Sequence, residues 1–213
     1  MEKYYLNSEL EIGVDEAGRG PLIGRVYAGA VIYGKETEIN LIINDSKKLS
    51  PKKRKIALEW IKNNVKAWGV GWAEADEIDN KNILQATQIA MDRAIQNLIT
   101  NFNLNNEPIT LIIDGLGWDN KFINYTTNSI VKGDTKYLSI AAASIIAKEH
   151  HDEYIKQLCL DNPGLDDKYG LLKNMGYGTK KHFIGIEKHG ITEFHRKTFK
   201  PCCNFLYEKI EFL

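Results

Sequence analysis

Apolar and polar residues alternate through Leu10, Ile12 and Val14 against Glu11, Gly13 and Asp15, a period of two that predicts a β-strand. A second strand is expected over Val26–Tyr33, rich in β-branched and small residues and stopped by Gly34. Ser50-Pro51 reads as the cap and first residue of a helix whose buried face carries Ile56, Trp60 and Ile61. Lys66–Ala75 is a third strand candidate through Trp68, Val70 and Trp72. From Asp76 to Thr100 the period becomes helical, with Ile83, Thr87, Ala90, Ala94 and Leu98 three or four residues apart. Ile109–Asp114 and Ser129–Val131 are two more strand candidates.

Tyr137–Leu160 predicts a helix whose small residues, Ala141, Ala142, Ala143 and Ser144, let it press closely on a sheet. Asn162-Pro163-Gly164 breaks it, and short helical pieces separated by glycines follow from Asp166. The expected fold class is therefore α/β, a mixed sheet flanked by helices with a small C-terminal helical region. The expected division is a body over 1–165 and a basic region over 166–213 packed on it.

Composition sharpens this only when the charges are located. The 213-residue chain has a formal net charge of +0, yet residues 45–66 and 168–200 each hold eight Lys or Arg against two acids. Either run alone fits a solvated helix face; together they suggest a surface for a polyanion. The hydrophobic fraction of 43% supports a real core. No apolar run approaches the roughly 20 residues that span a bilayer, and the N-terminus lacks the layout of a secretory signal. Cys159, Cys202 and Cys203 have neither pairing nor zinc spacing, so a reducing, cytoplasmic setting is expected.

The candidate chemistry lies in four carboxylates. Asp15 and Glu16 end the first strand and open Ala17-Gly18-Arg19-Gly20; Asp114 ends another strand before Gly115; Asp134 follows Gly133. Acids gathered at one sheet edge repel one another, which implies divalent cations and raises at least one carboxyl pKa in their absence. Cations beside glycine-rich backbone and lysines suit phosphate-ester chemistry. Taken alone, the Asp15-Glu16 segment reads more readily as a turn with solvated acids.

Its company decides between them. Asp15-Glu16-Ala17-Gly18-Arg19-Gly20 resembles the signature of type 2 ribonuclease H, and the resemblance continues in order down the chain. It runs through Asn44–Ser50, Ile78–Thr87, Leu111–Gly115, Val131–Asp134, Ala142–Lys148 and Gly176–Thr179, covering about residues 10–200. The resemblance implies a ribonuclease-H-like fold, with Asp15, Glu16, Asp114 and Asp134 as catalytic and metal-binding carboxylates for Mg2+ or Mn2+, two ions during catalysis. It implies that Gly18, Arg19 and Gly20 meet a ribose 2′-hydroxyl with their backbone, and that Tyr177 stacks on a sugar. Lys47 and Lys48 would contact phosphate, with Lys148 a weaker candidate. The implied substrates are RNA·DNA hybrids and duplex DNA carrying single ribonucleotides.

Some positions depart from the family pattern: Arg25 and Tyr27 replace smaller residues, Ala141 stands where serine is frequent, and Glu149–Asp152 replaces a segment that often carries a basic residue. A monomer is expected, and Asn204–Leu213 shows no sliding-clamp motif. His150 and His151 read as surface residues; His182, His189 and His195 read as packing or phosphate-contact residues. A junction resolvase or transposase on the same fold would share the acids but need no 2′-hydroxyl sensor. A non-catalytic binding module would tolerate the loss of an acid, and all four are present.

Overall fold

The computed structural model describes residues 1–6, 10–105 and 107–208, with no side-chain description for 206–208. Five strands form one mixed sheet: β1 (Glu11–Ala17), β2 (Val26–Ile32), β3 (Ala67–Ala73), β4 (Thr110–Asp114) and β5 (Thr126–Ile130), in the order β3-β2-β1-β4-β5. The hairpin β1–β2 and its neighbour β3 pair antiparallel, whereas β4 and β5 join in parallel. Both faces of central β1 are covered, so Glu11 and Ile12 are equally buried and the alternation in the sequence does not mark an exposed side. Glu11 is tolerated because its carboxylate accepts the N–H groups of Tyr5 and Leu6, although burial still pushes its pKa up.

On one face, α2 (Ala75–Lys81) leads into α3 (Ile83–Asn101), which seals a core of Ile12, Val14, Met91, Ile95 and Leu111. The helical period from Asp76 is interrupted at Asn82, where φ is +76° and the side chain accepts the N–H groups of Leu84 and Gln85. Asparagine combines tolerance of positive φ with capping, so one amphipathic stretch becomes two helices. On the other face lie α1 (Pro51–Asn64) and α4 (Leu138–Asp161), around Val31, Tyr33, Ile61 and Ile145.

The expected inner face of α1 requires correction. Ile56 is 51% exposed, and the buried residues are Arg54, Ala57, Leu58 and Ile61. Arg54 turns inward because its guanidinium reaches Glu149 and, at 3.0 Å, Asp152 on α4. The inner face of β3 likewise belongs to Ala67, Gly69, Gly71 and Ala73 rather than to its large residues, and Trp72 is 37% exposed. Backbone contact is the reason: a Cβ on Gly69 would lie 2.3 Å from the Ala94 carbonyl oxygen of α3, and one on Gly29 would lie 2.3 Å from that of Ala143 on α4. The fifth strand is longer than Ser129–Val131 because polar Thr126, Thr127 and Asn128 pair along β4 at the sheet edge.

After Asn162 the chain continues as α5 (Leu165–Tyr169), α6 (Leu171–Asn174), α7 (Lys180–His189) and α8 (Cys202–Glu208). Leu165, Tyr169, Leu171 and Ile186 close over Ile155 of α4 and over Leu22 and Ile23 of the β1–β2 connection. The C-terminal residues thereby support that connection directly, with Gly24 N–H donating to Phe194 and Arg196 N–H donating to Leu22. Residues 209–213 of the tail examined for a clamp motif lie outside the described residues. Among the described residues no helix is long and apolar enough to cross a membrane.

Gly69→Val should destabilise the chain by about 3 kcal/mol through overpacking against α3. Chemical denaturation measures this; a loss below about 1 kcal/mol would show that α3 yields easily.

Candidate active site

Parallel pairing brings the acidic strand ends together. Val14 of β1 is level with Ile113 of β4, so Asp15 and Asp114 follow side by side at the same sheet edge. Asp134 arrives on a 3-10 turn, Gly133–Thr135, just after β5. Gly133 N–H donates to Asp114 Oδ1 at 2.6 Å, tying that turn to the end of β4. Asp15 is buried, its Oδ1 accepts Glu16 N–H at 2.7 Å, and the nearby Ser144 hydroxyl of α4 also favours its ionised form. Ser144 in turn meets Ser46 at 2.7 Å. The small-residue helix therefore delivers a hydroxyl as well as close packing.

The electrostatics show the strain of this arrangement. Burial, then repulsion from Glu16 and Asp114, pushes the Asp15 pKa well above its ordinary value. Burial also raises Glu16 despite Arg19, whose Nη1 lies 3.2 Å from Glu16 Oε1. Asp134 is raised by burial and then by Asp114 and Asp45. Lys47 sits in the resulting field: burial works against its charge, but Asp15, Asp134, Asp45 and Asp114 together hold its pKa up. The expected rise in at least one carboxyl pKa thus falls on three groups.

A cleft of about 440 Å³ is lined by Glu16, Gly18–Gly20, Ser46, Lys47, Ser144, Lys148 and Tyr177. Gly18 has φ +88°, and a Cβ there would strike the His151 ring at 2.4 Å, so only glycine fits. Tyr177 is 40% exposed, its ring stands over Gly20, and the Lys148 ammonium lies 5.9 Å from the ring centre. Lys48 does not join this cleft; it lies 3.9 Å from Asp45 on the exposed side of the 3-10 turn Ser46–Lys48.

Several residues at or under the cleft escaped the sequence reading. Ser46 and Ser144 lie within recognised segments, but nothing in their pattern signals the hydroxyl pair. Lys148, the weaker lysine candidate of the sequence, lines the cleft as Lys47 does and Lys48 does not, anchored by Asp152 at 2.7 Å, an i,i+4 spacing visible in the sequence. His151 is fully buried rather than on the surface, with Nδ1 3.1 Å from Asp152. His182 and His195 are buried against each other and Tyr169, while His189 is exposed.

The donor set fits hard divalent cations: it offers only oxygen ligands, carries excess negative charge, and buries Asp15 without a full counter-charge. Among the described residues no three acidic or imidazole groups already converge as a closed cage. Asp15, Glu16, Asp114 and Asp134 accordingly form an open set.

The chain is similar to known proteins over most of its length. The model of the family described as Ribonuclease HII matches residues 12–202. A Ribonuclease HII of Bacteroides thetaiotaomicron is 46% identical over 196 residues, 92% of each chain. One from Staphylococcus saprophyticus is 44% identical over 189 residues, 89% of this chain and 68% of that protein. Among solved structures, Bst-RNase HIII in complex with Mn2+ superposes with TM-score 0.72 at 22% identity, covering 95% of this chain and 71% of that one. The ribonuclease H2 of Pyrococcus horikoshii OT3 gives 0.66 at 23% identity, covering 93% and 97%. These superpositions show a ribonuclease-H-like fold.

A raised folded-state pKa means that Asp15 favours folding while protonated and loses that contribution as pH rises through the folded value. Each unit of such a shift is worth about 1.4 kcal/mol, and each kcal/mol moves Tm by roughly 2–4 °C at this size. Asp15→Asn should therefore raise the Tm of metal-free protein at neutral pH, and the gain should shrink on acidification as the wild type protonates. A Tm that falls or is independent of pH would mean that Asp15 is adequately compensated by the chain itself.

Proposed function

Because the chain belongs to the ribonuclease HII family, we propose that it hydrolyses the RNA strand of RNA·DNA hybrids and cuts on the 5′ side of single ribonucleotides embedded in duplex DNA, leaving 5′-phosphate and 3′-hydroxyl ends. The observation that carries this reading is the cleft itself: a glycine loop and an exposed tyrosine line it together with Glu16 and Lys47, beside the buried Asp15. Acids alone would serve any ribonuclease-H-like nuclease. The glycine loop supplies what a ribonucleotide-specific enzyme needs, namely backbone able to approach a 2′-hydroxyl, the group that distinguishes RNA from DNA.

In this reading Asp15, Glu16, Asp114 and Asp134 hold Mg2+ or Mn2+, two ions during catalysis. Bound there, the cations would activate the attacking water and stabilise the leaving oxygen of the phosphodiester. The chain's own groups bind and orient the substrate. Lys47, held charged by the surrounding acids, offers a cation to a phosphate at the cleft edge, and Lys148 offers another beside Tyr177. Lys48 lies farther out and contributes to long-range attraction. Gly18, Arg19 and Gly20 face the ribose with their backbone. Tyr177 stacks on the following deoxyribose, where the missing 2′-hydroxyl leaves an apolar face. Ser144, backed by Ser46, orients the Asp15 carboxylate.

The direct test is cleavage of a labelled duplex containing one ribonucleotide beside the same duplex in all-DNA form. Cutting of the first alone, 5′ of the ribonucleotide, is expected; equal cutting of both would favour a resolvase-like nuclease. Asp15→Asn and Asp114→Asn should each lower the rate more than tenfold, over about 1.4 kcal/mol in barrier, while duplex binding persists. Tyr177→Ala should cost about ten- to hundredfold on the single ribonucleotide, the worth of one aromatic stack, and less on a continuous hybrid. Equal losses on the two substrates would make Tyr177 a structural residue.

A further inference from the structure

Arg196 is fully buried, and no carboxylate partners its guanidinium among the described residues. It is spent instead on four backbone carbonyls of one loop. Nε donates to Gly24 at 2.9 Å, Nη1 to Arg19 at 2.9 Å, and Nη2 to Gly18 at 2.6 Å and Arg25 at 2.9 Å. A cation buried on main-chain oxygens forgoes its usual hydration and ion pairing, which is an expensive way merely to fill space. The bonds grip both ends of the β1–β2 connection, 18–19 and 24–25, from a residue more than 170 positions away in sequence.

The consequence for the cleft follows from peptide geometry. A trans peptide unit points its C=O and N–H in opposite directions. With the Gly18 and Arg19 carbonyls turned inward to Arg196, the N–H groups of Arg19 and Gly20 turn outward, on the stretch that lines the cleft. Neither N–H has a backbone or side-chain acceptor among the described residues. Two successive main-chain donors, oriented and unspent, make a binding concavity for an oxygen ligand.

The segment bearing Arg196 is itself held from α2. Asp79 accepts the N–H groups of Lys197 and Thr198, both at 2.8 Å, and the Thr198 hydroxyl at 2.6 Å. The preceding residue, His195, serves the other half of the same wall. Its Nδ1 accepts Thr192 N–H, which leaves Nε2–H to donate to His182 Nε2 at 3.2 Å; His182 Nδ1–H then donates to the Tyr177 carbonyl at 3.1 Å. Burial keeps both rings neutral by lowering their pKa values, as this order of donors requires. Adjacent residues of the C-terminal region thus steady the glycine loop and the tyrosine loop together.

We propose that Arg196, steadied by Asp79, is a positioning residue for ribonucleotide recognition: it sets the peptide planes of 18–20 so that two backbone N–H groups face the substrate's ribose. The inference rests on the 2′-hydroxyl reading proposed above and adds the residue that enforces it. Arg196 touches no substrate. Its effect is confined to how well the loop is preorganised, so it should separate recognition of the ribonucleotide from affinity for duplex as such.

The test compares wild type, Arg196→Lys, Asp79→Ala and the double variant, below the Tm of each. Two quantities are read: kcat/KM on the single-ribonucleotide duplex, and Kd for the all-DNA duplex. Lysine keeps the charge but cannot span four carbonyls, so Arg196→Lys should lose at least tenfold in kcat/KM while all-DNA affinity stays within twofold. Asp79→Ala, changed at the protein surface, should lose several-fold with the same selectivity, and the double variant should be little worse than Arg196→Lys alone. Wild-type kcat/KM in folded Arg196→Lys, or an equal loss of all-DNA binding, would overturn the proposal. If Arg196→Lys does not fold, Asp79→Ala decides, and unchanged kcat/KM there is the overturning result. Failure of the underlying reading looks different, because the wild type itself would then not cut the ribonucleotide duplex.

Discussion

The carboxylate of Asp15 is buried on the central strand, one residue past its last pair with β4, with Glu16 next to it and Asp114 beside it on β4. Burial and like charge both oppose its ionisation, and the chain answers only in part, through Glu16 N–H, Ser144 and the more distant Lys47. Much of the architecture is arranged around that imbalance. The parallel β1–β4 pairing creates it, the turn at Gly133 adds Asp134 to it, and α4 presses close enough to lend a hydroxyl. Removing the pairing or the turn would ease the repulsion and disperse the acidic set that makes the site fit for divalent cations, whereas removing the hydroxyl would leave Asp15 less compensated.

The glycine loop of the cleft is built on a different principle. Glycine at 18 lets the backbone run against the His151 ring, and the C-terminal residues fasten that backbone from behind. The region from 166 onward therefore has two aspects. Its outer lysines extend a basic surface, while its inner residues, Tyr169, His182, His195 and Arg196, form a buried polar frame under the cleft. In the proposed function a duplex drawn by the first would meet a wall stiffened by the second, which links the fold's tail physically to the proposed selectivity.

The layout of the site was legible where apolar runs stop at acids. Asp114 ends its strand in the sequence and in the structure, Asp15 lies just past the last β1–β4 pair although β1 runs on to Ala17 against β2, and the small residues of α4 do pack closely. What stayed hidden involved polar residues that face inward. Arg54 and Arg196 lie in the two basic segments, yet both are buried, because a guanidinium can be satisfied by partners that adjacent sequence does not reveal. His151 is buried as well, although its partner Asp152 is the next residue in the chain. Helix α1 is rotated from its apolar expectation by Arg54, and β5 begins early because an edge strand needs hydrogen bonds more than apolar side chains. Pattern reading follows hydrophobic burial well; long-range hydrogen bonding leaves no local period to find.

The account's central claim is that the Asp15 cluster lacks a counter-charge that a divalent cation supplies. Calorimetric titration with Mn2+ in buffers of different ionisation enthalpy, at about pH 6, counts the protons released on binding. Net release is predicted for the wild type, with clearly less for Asp15→Asn. Binding without proton release, or release unchanged in Asp15→Asn, would contradict the claim.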